Sequence, residues 1–292
     1  MTGSLKRYGI VVGVDGSAPS IAAVGWAARA AAMRNVPLTL VHTLQAFVPA
    51  FPQIPLASGV AVWQEEDGRQ VLEQAVKIAE GAVKSEHNVP IATELKSSPP
   101  VPTLVEFSAD AEMVVVGSNG RGAVGRVLLG SVSSGVVRSA TSPVAVIREE
   151  AASMTGLEHA PVLVGIDCSP ASELALALAF DEASRRRVGL TALHAWSDVA
   201  VYERPWLDWQ AEAERSLAEY LAGWQERYPD VEVHRLVVPD HPGRELIAHS
   251  ESAQLVVVGS RGRGLLGVML FGSVSNAVVH SVTTPVIVAR PV

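Results

Sequence analysis

Gly117, Gly120, Gly130 and Ser131 stand in the spacing Gly-x2-Gly-x9-Gly-Ser, and Gly259, Gly262, Gly272 and Ser273 repeat it. Each set follows a short β-branched run, Val114 to Val116 and Val256 to Val258, and leads into a segment of helical character. Glycine lets backbone N–H groups come close to a ligand and permits positive φ. Successive amides curled into a nest attract anions. The closing Gly-Ser falls where a helix would begin. There the orphan amides and the helix dipole favour phosphate, and a serine hydroxyl can add a hydrogen bond. The chemistry implied is anion binding, although a purely structural strand–helix loop, once duplicated, would carry the same glycines.

Asp15 and Asp167 are the second feature. Each closes a strand-like run, Ile10-Val-Val-Gly-Val-Asp-Gly-Ser17 and Val162-Leu-Val-Gly-Ile-Asp-Cys-Ser169. An aspartate there could orient a ribose hydroxyl, hold Mg²⁺ near phosphates, or only form the turn. Ser131 and Ser273, with Ser133 and Ser275 just beyond, could bond phosphate, cap a helix, or do both. Arg121, Arg261 and Arg263 lie in the glycine loops, where they could neutralise phosphate or stay solvated. His42 and His194 occupy equivalent places, and neither has the partners a metal site requires. Trp63, Trp206 and Trp209 read as packing residues or loop anchors. Cys168 replaces Gly16, either as a small residue in a tight turn or as a redox-sensitive thiol. Asn119 becomes Arg261 and Arg126 becomes Val268, so the two sites are expected to differ in affinity.

Several chemistries have no footing. There is no G-x4-G-K-[ST] P-loop, and no G-x-G-x-x-G opens the first helix. No Ser/His/Asp set is identifiable, nothing marks a general base, and no catalytic residue or protein metal cluster is assigned. The net charge of -7 argues against non-specific nucleic-acid binding and a polybasic membrane anchor. A single cysteine excludes an intramolecular disulfide and fits a reducing cytoplasm. Neither a signal peptide nor a membrane-spanning run is evident.

The positioning elements follow from an internal repeat. Asp15 and Asp167 are 152 residues apart (167 − 15), and Gly117 and Gly259 are 142 apart (259 − 117). A period this long signals a duplicated domain. The boundaries expected are 1–148 and 161–292, with 149–160 as a polar linker. In the first half, strands are expected at 9–14, 38–44, 91–96, 113–116 and 143–147. Helices are expected at 21–33, 64–84, 101–108 and 132–139, with an excursion loop over 45–62. The second half repeats the order, with strands at 161–166, 190–195, 231–237, 255–258 and 285–289. Its helices are expected at 172–186, 209–227, 243–250 and 274–282. Alternating elements with nearly continuous apolar strands predict α/β architecture: two tandem, doubly wound parallel five-stranded sheets. A strand order of 3-2-1-4-5 brings strands 1 and 4 side by side at the switch point, where such sheets bind ligands. Asp15 and Gly117 would then face one crevice.

These residues resemble the universal stress proteins, in a tandem form of their ATP-binding branch. The likeness covers nearly the whole chain. It implies an adenine-nucleotide alpha hydrolase-like fold with ATP, accompanied by Mg²⁺, in each half. In the first half it implies contacts from Gly13, Asp15, Ser17, the adenine-facing Val41, Gly117, Gly120 and Arg121. It adds Gly130, Ser131, Val132 and Ser133 at the loop's end. In the second half it implies Gly165, Asp167, Ser169, Leu193, Gly259, Gly262 and Arg263, then Gly272, Ser273, Val274 and Ser275. It also implies pairing through the fifth strands, a homodimer of tandem chains, and a regulatory protein partner. The activity implied is a nucleotide-dependent switch in stress, growth-arrest or dormancy response. A slow ATPase or phosphotransferase, or a nucleotide-independent interaction module, stand as alternatives.

Overall fold

β-Branched runs and alanine-rich amphipathic segments alternate through the chain, and each becomes its own element. The computed structural model describes residues 7–44, 58–83, 88–120, 129–153, 156–195, 206–239, 241–260 and 271–290. Its contacts divide the chain into two units, separating between Ala152 and Ser153.

The first unit runs β1 (Ile10–Gly13), α1 (Ala18–Arg34), β2 (Leu38–Thr43), α2 (Ser58–Ala82), β3 (Ile91–Lys96), α3 (Pro100–Ser108), β4 (Met113–Gly117), α4 (Ser131–Ser139) and β5 (Val144–Ile147). Its strands lie in the order β3-β2-β1-β4-β5, and every pairing is parallel. Val12 is in register with Leu40 on one side and Val115 on the other, and all three are fully buried. Helices cover both faces, which is why these strands are apolar throughout and not alternating.

The second unit runs β6 (Val162–Gly165), α5 (Pro170–Arg186), β7 (Leu190–Ala195), α6 (Trp206–Arg227), β8 (Val233–Val238), α7 (Pro242–Ser250), β9 (Leu255–Gly259), α8 (Ser273–Ser281) and β10 (Val286–Ala289). Its order is β8-β7-β6-β9-β10, again all parallel. The expected order 3-2-1-4-5 therefore holds within each sheet. Phe180, fully buried, stacks on Trp224 and Tyr228 at centroid distances of 5.9 and 5.5 Å, pinning α5 to α6. A 3-10 turn, Glu149–Ser153, opens the stretch between β5 and β6.

Local chemistry fixes the ends. Ser17 caps α1 by accepting from Ser20 N–H, and Ser169 caps α5 through Ser172 N–H. Both helices stop on a left-handed residue, Asn35 at φ 54° and Arg187 at φ 57°. Asparagine tolerates that conformation; arginine pays for it with its Cβ.

Some boundaries differ from expectation. α2 begins at Ser58 and α6 at Trp206, so part of the expected 45–62 loop is helix, while 45–57 lies outside the described residues. Proline and aromatic content hid these starts; packing on the sheet outweighs weak propensity. β8 starts at Val233, because Val231 closes a turn by donating to Tyr228 O. β5 and β10 start after Pro143 and Pro285, which lack an N–H. Their carbonyls still accept from Val114 and Val256 at 2.9 Å.

Candidate functional site

In the first unit, the residues at the carboxyl ends of β1, β2 and β4 line a cavity of about 740 Å³. Gly13, Asp15 and Val41 line it, with Gly117, Gly120, Gly130, Ser131, Val132 and Ser133. β1 pairs with both β2 and β4, so it stands between them. That is the switch point, and there Asp15 meets the described ends of the glycine-rich segment, Gly117, Gly120 and Gly130. A Cβ built on Gly120 would lie 2.5 Å from Asp15 Oδ2. A side chain at this position would have to displace that carboxylate.

Asp15 is held in place by its own turn. Ser17 donates to Asp15 Oδ1 from its backbone N–H at 2.9 Å and its hydroxyl at 2.6 Å. The same hydroxyl oxygen is 3.4 Å from Asn119 O, bringing the β1 turn to the loop after β4. Gly16 adopts φ 78°, which completes the turn. Gly117 presses on α1, since a Cβ there would come within 2.8 Å of Pro19 C and Ser20 N. Gly13 admits Leu104 of α3, 2.9 Å from its built Cβ.

At the other side of β1, α4 starts with Gly130 as N-cap (φ −65°, ψ 160°) and no side chain capping it. Gly130 N–H donates to Ser118 O at 2.7 Å, which folds the loop's end back beside β4. Ser131, expected at the helix start, is its first residue and is exposed. Its amide and those of Val132 and Ser133 belong to the first turn, where a helix has no internal acceptor to offer. Ser133 is buried, and its hydroxyl donates to Gly117 O at 2.6 Å, so it ties α4 to β4. Val41 O accepts Val14 N–H at 2.8 Å, so that carbonyl is committed to the sheet.

The second unit repeats most of this. Ser169 N–H donates to Asp167 Oδ1 at 3.0 Å, and Asp167 N–H donates to Ser172 Oγ at 2.8 Å. Gly272 caps α8 without a side-chain hydrogen bond, ahead of Ser273 and Val274, and its N–H donates to Ser260 O. Ser275 Oγ donates to Gly259 O, as Ser133 does to Gly117 O. Leu193 O accepts Ile166 N–H, and Gly165 makes room for Leu246. Cys168, where the first unit has Gly16, sits at φ 58°. Tyr220 on α6 has its pKa pushed up to about 12 by burial first, then by the negative charges of Glu173, Cys168 and Asp167. Gly262, Arg261 and Arg263, with Arg121, Arg126 and Val268, lie outside the described residues.

His42 and His194 are structural as expected. Nδ1 of each faces a carbonyl, Val14 O at 2.6 Å and Ile166 O at 2.8 Å, and must carry the proton to donate. Trp63 departs from its packing expectation, because it is 68% exposed and lines the cavity beside Gln64 and Asp67. Sequence reasoning missed this wall of α2, although Gln64 and Asp67 fall within the expected helix and Trp63 directly before it. Among the described residues no group of three His, Cys, Asp or Glu could hold a metal. A Mg²⁺ ion accompanying a phosphate ligand would take most of its oxygens from phosphate and water, with Asp15 as the carboxylate lining the cavity.

Fold and site together define a tandem, doubly wound α/β protein with a glycine-rich segment after the fourth strand of each unit. The universal stress protein family model matches residues 9–148 and 159–290. A universal stress protein of Mycobacterium tuberculosis is 60% identical over 288 residues, covering 98% of each chain. Another, of Mycolicibacterium smegmatis, is 48% identical over 296 residues, covering 100% of each. The crystal structure of a universal stress protein from Archaeoglobus fulgidus shares the fold, with a TM-score of 0.72 at 20% identity over 97% of this chain and 99% of that one. The chain belongs to the universal stress protein family. None of its described helices is long and apolar enough to cross a membrane.

Proposed function

We propose that each half, taken as 1–148 and 161–292 joined by 149–160, binds ATP with Mg²⁺, and that the chain acts in the cytoplasm as a nucleotide-dependent regulatory switch. The observation that carries this reading is the meeting of Asp15 with Gly120 in a cavity that also receives the uncapped start of α4. A cavity of about 740 Å³ suits a small cofactor. The α4 amides and dipole would hold phosphate. Asp15 would accept from a ribose hydroxyl or hold Mg²⁺ against the phosphates.

Switching, more than turnover, is supported by the Asp15 carboxylate itself. Its Oδ1 is occupied by Ser17, which makes it a fixed acceptor and a poor proton shuttle. ATP could drive a switch only through different affinity for two states, and a regulatory protein partner or a second copy of the chain would read them.

Equilibrium binding of Mg·ATP to the full chain tests this. Two sites are expected, and Asp15→Ala and Asp167→Ala should each weaken one by about 10-fold or more, the effect of a lost hydrogen bond to a charged group. Undetectable binding to the folded parent would overturn the proposal and favour a nucleotide-independent module.

A further inference from the structure

Resting on the nucleotide reading, we infer that Trp63 is the base-stacking residue of the first site, closing over an aromatic base from α2. Among the described residues Trp63 and Leu174 are the exposed large hydrophobics, and of the two Trp63 lines the cavity. An indole left 68% exposed contributes little to the core, so folding does not account for its place.

Charge and topology set which end of the cavity takes the base. β2 and β4 flank β1, so their carboxyl ends are about 10 Å apart, two strand spacings. On the β4 side stand the glycine loop and the α4 amides, which attract phosphate. On the β2 side stand Val41, Leu44, Trp63 and Asp67. The apolar and aromatic surfaces there favour a flat ring. Gly68 lets α2 lie this close, since its built Cβ would come within 2.9 Å of both Leu44 Cδ2 and Leu95 Cδ1. Trp63, on the turn before Gly68, is thereby held at the cavity's lip on the base side. The ligand class selected is a phosphorylated compound carrying an aromatic base, and stacking is tolerant of which base it is.

Three full-length variants test this: Trp63→Ala, Trp63→Leu and Trp63→Phe. Stacking on one base predicts that Ala and Leu weaken Mg·ATP binding at one of the two sites by about 5- to 100-fold, while Phe stays within about 3-fold of the parent. ATP should quench part of the parent's tryptophan fluorescence, and Trp63→Phe should lose that part while still binding. Thermal midpoints near the parent's would confirm that all three fold. Parent-like ATP affinity in Trp63→Ala, or equal loss in Leu and Phe, or an unchanged quench in Trp63→Phe, would overturn the stacking role and leave the ATP reading intact. A parent chain that binds no ATP would overturn both.

Discussion

Gly16 and Cys168 occupy the same place in the two halves, one residue past the aspartate that ends the first strand of each sheet. Both have positive φ, 78° and 58°. The aspartates beside them are held alike, by the amides of Ser17 and Ser169 at 2.9 and 3.0 Å. The second half thus keeps the turn without the residue that makes it cheap. A left-handed Cβ costs roughly 1–2 kcal/mol, and the surrounding turn and cap must offset it. The comparison separates what the aspartate turn needs, which is backbone conformation, from what it tolerates, which is the side chain at its apex. It also marks how the halves diverge: a thiol stands beside Asp167 where a glycine stands beside Asp15.

The comparison breaks most sharply at the glycines after β4. Gly120→Ala should lower ATP affinity of the first site by about 10-fold or more, because its Cβ meets the Asp15 carboxylate at 2.5 Å. Its effect on stability should stay small, since a carboxylate can swing aside. Gly117→Val should act on stability as well as on binding. Its Cβ meets α1 backbone, which cannot yield, so urea denaturation should show a loss of about 1–3 kcal/mol. Equal effects of the two on stability would show that both glycines are structural.

Smaller effects sharpen the difference between halves. Cys168→Gly should stabilise the second unit by about 0.5–1 kcal/mol, less than the full strain because glycine gains freedom when unfolded. Gly16→Ala should cost the first unit a similar amount. Arg187→Gly, at the left-handed end of α5, should stabilise by about 1 kcal/mol, while Asn35→Gly at the matching end of α1 should change little. Denaturation midpoints read all four.

The smallest effect is one of pH. Tyr220 titrates at about 12 in the folded chain, above the ordinary value near 10. Its contribution is complete below about pH 10 and is lost as pH rises through about 12, because the unfolded tyrosine releases its proton first. Tyr220→Phe should flatten the fall in stability over that window. An identical fall in parent and variant would show that burial does not hold the Tyr220 proton.

The strands were legible because a parallel sheet buried on both faces demands unbroken β-branched runs such as Val114 to Val116. The order of strands was expected from the doubly wound architecture, and the meeting of Asp15 with Gly117 followed from placing strands 1 and 4 side by side. Helix starts were less so, since Ser58 and Trp206 open helices that follow proline-bearing stretches. The glycine-rich side of the site could be read from the spacing of Gly117, Gly120 and Gly130. The α2 wall could not. Nothing in the residue types tells an exposed Trp63 from a buried one, and its place depends on how closely Gly68 lets the helix approach. Nor could the sequence separate the roles of Ser131 and Ser133, which differ by whether a carbonyl of β4 lies within reach.

The central claim is that both switch points hold nucleotide, and it is met most directly by asking what the purified chain carries. The full-length protein is denatured under conditions that keep nucleotides intact, and the released ligand is identified and counted by chromatography and mass spectrometry. The account predicts ATP approaching two per chain, falling toward none when Gly120 and Asp167 are both replaced by alanine. A chain that releases no nucleotide, and takes up none when Mg·ATP is added to the folded protein, would contradict it.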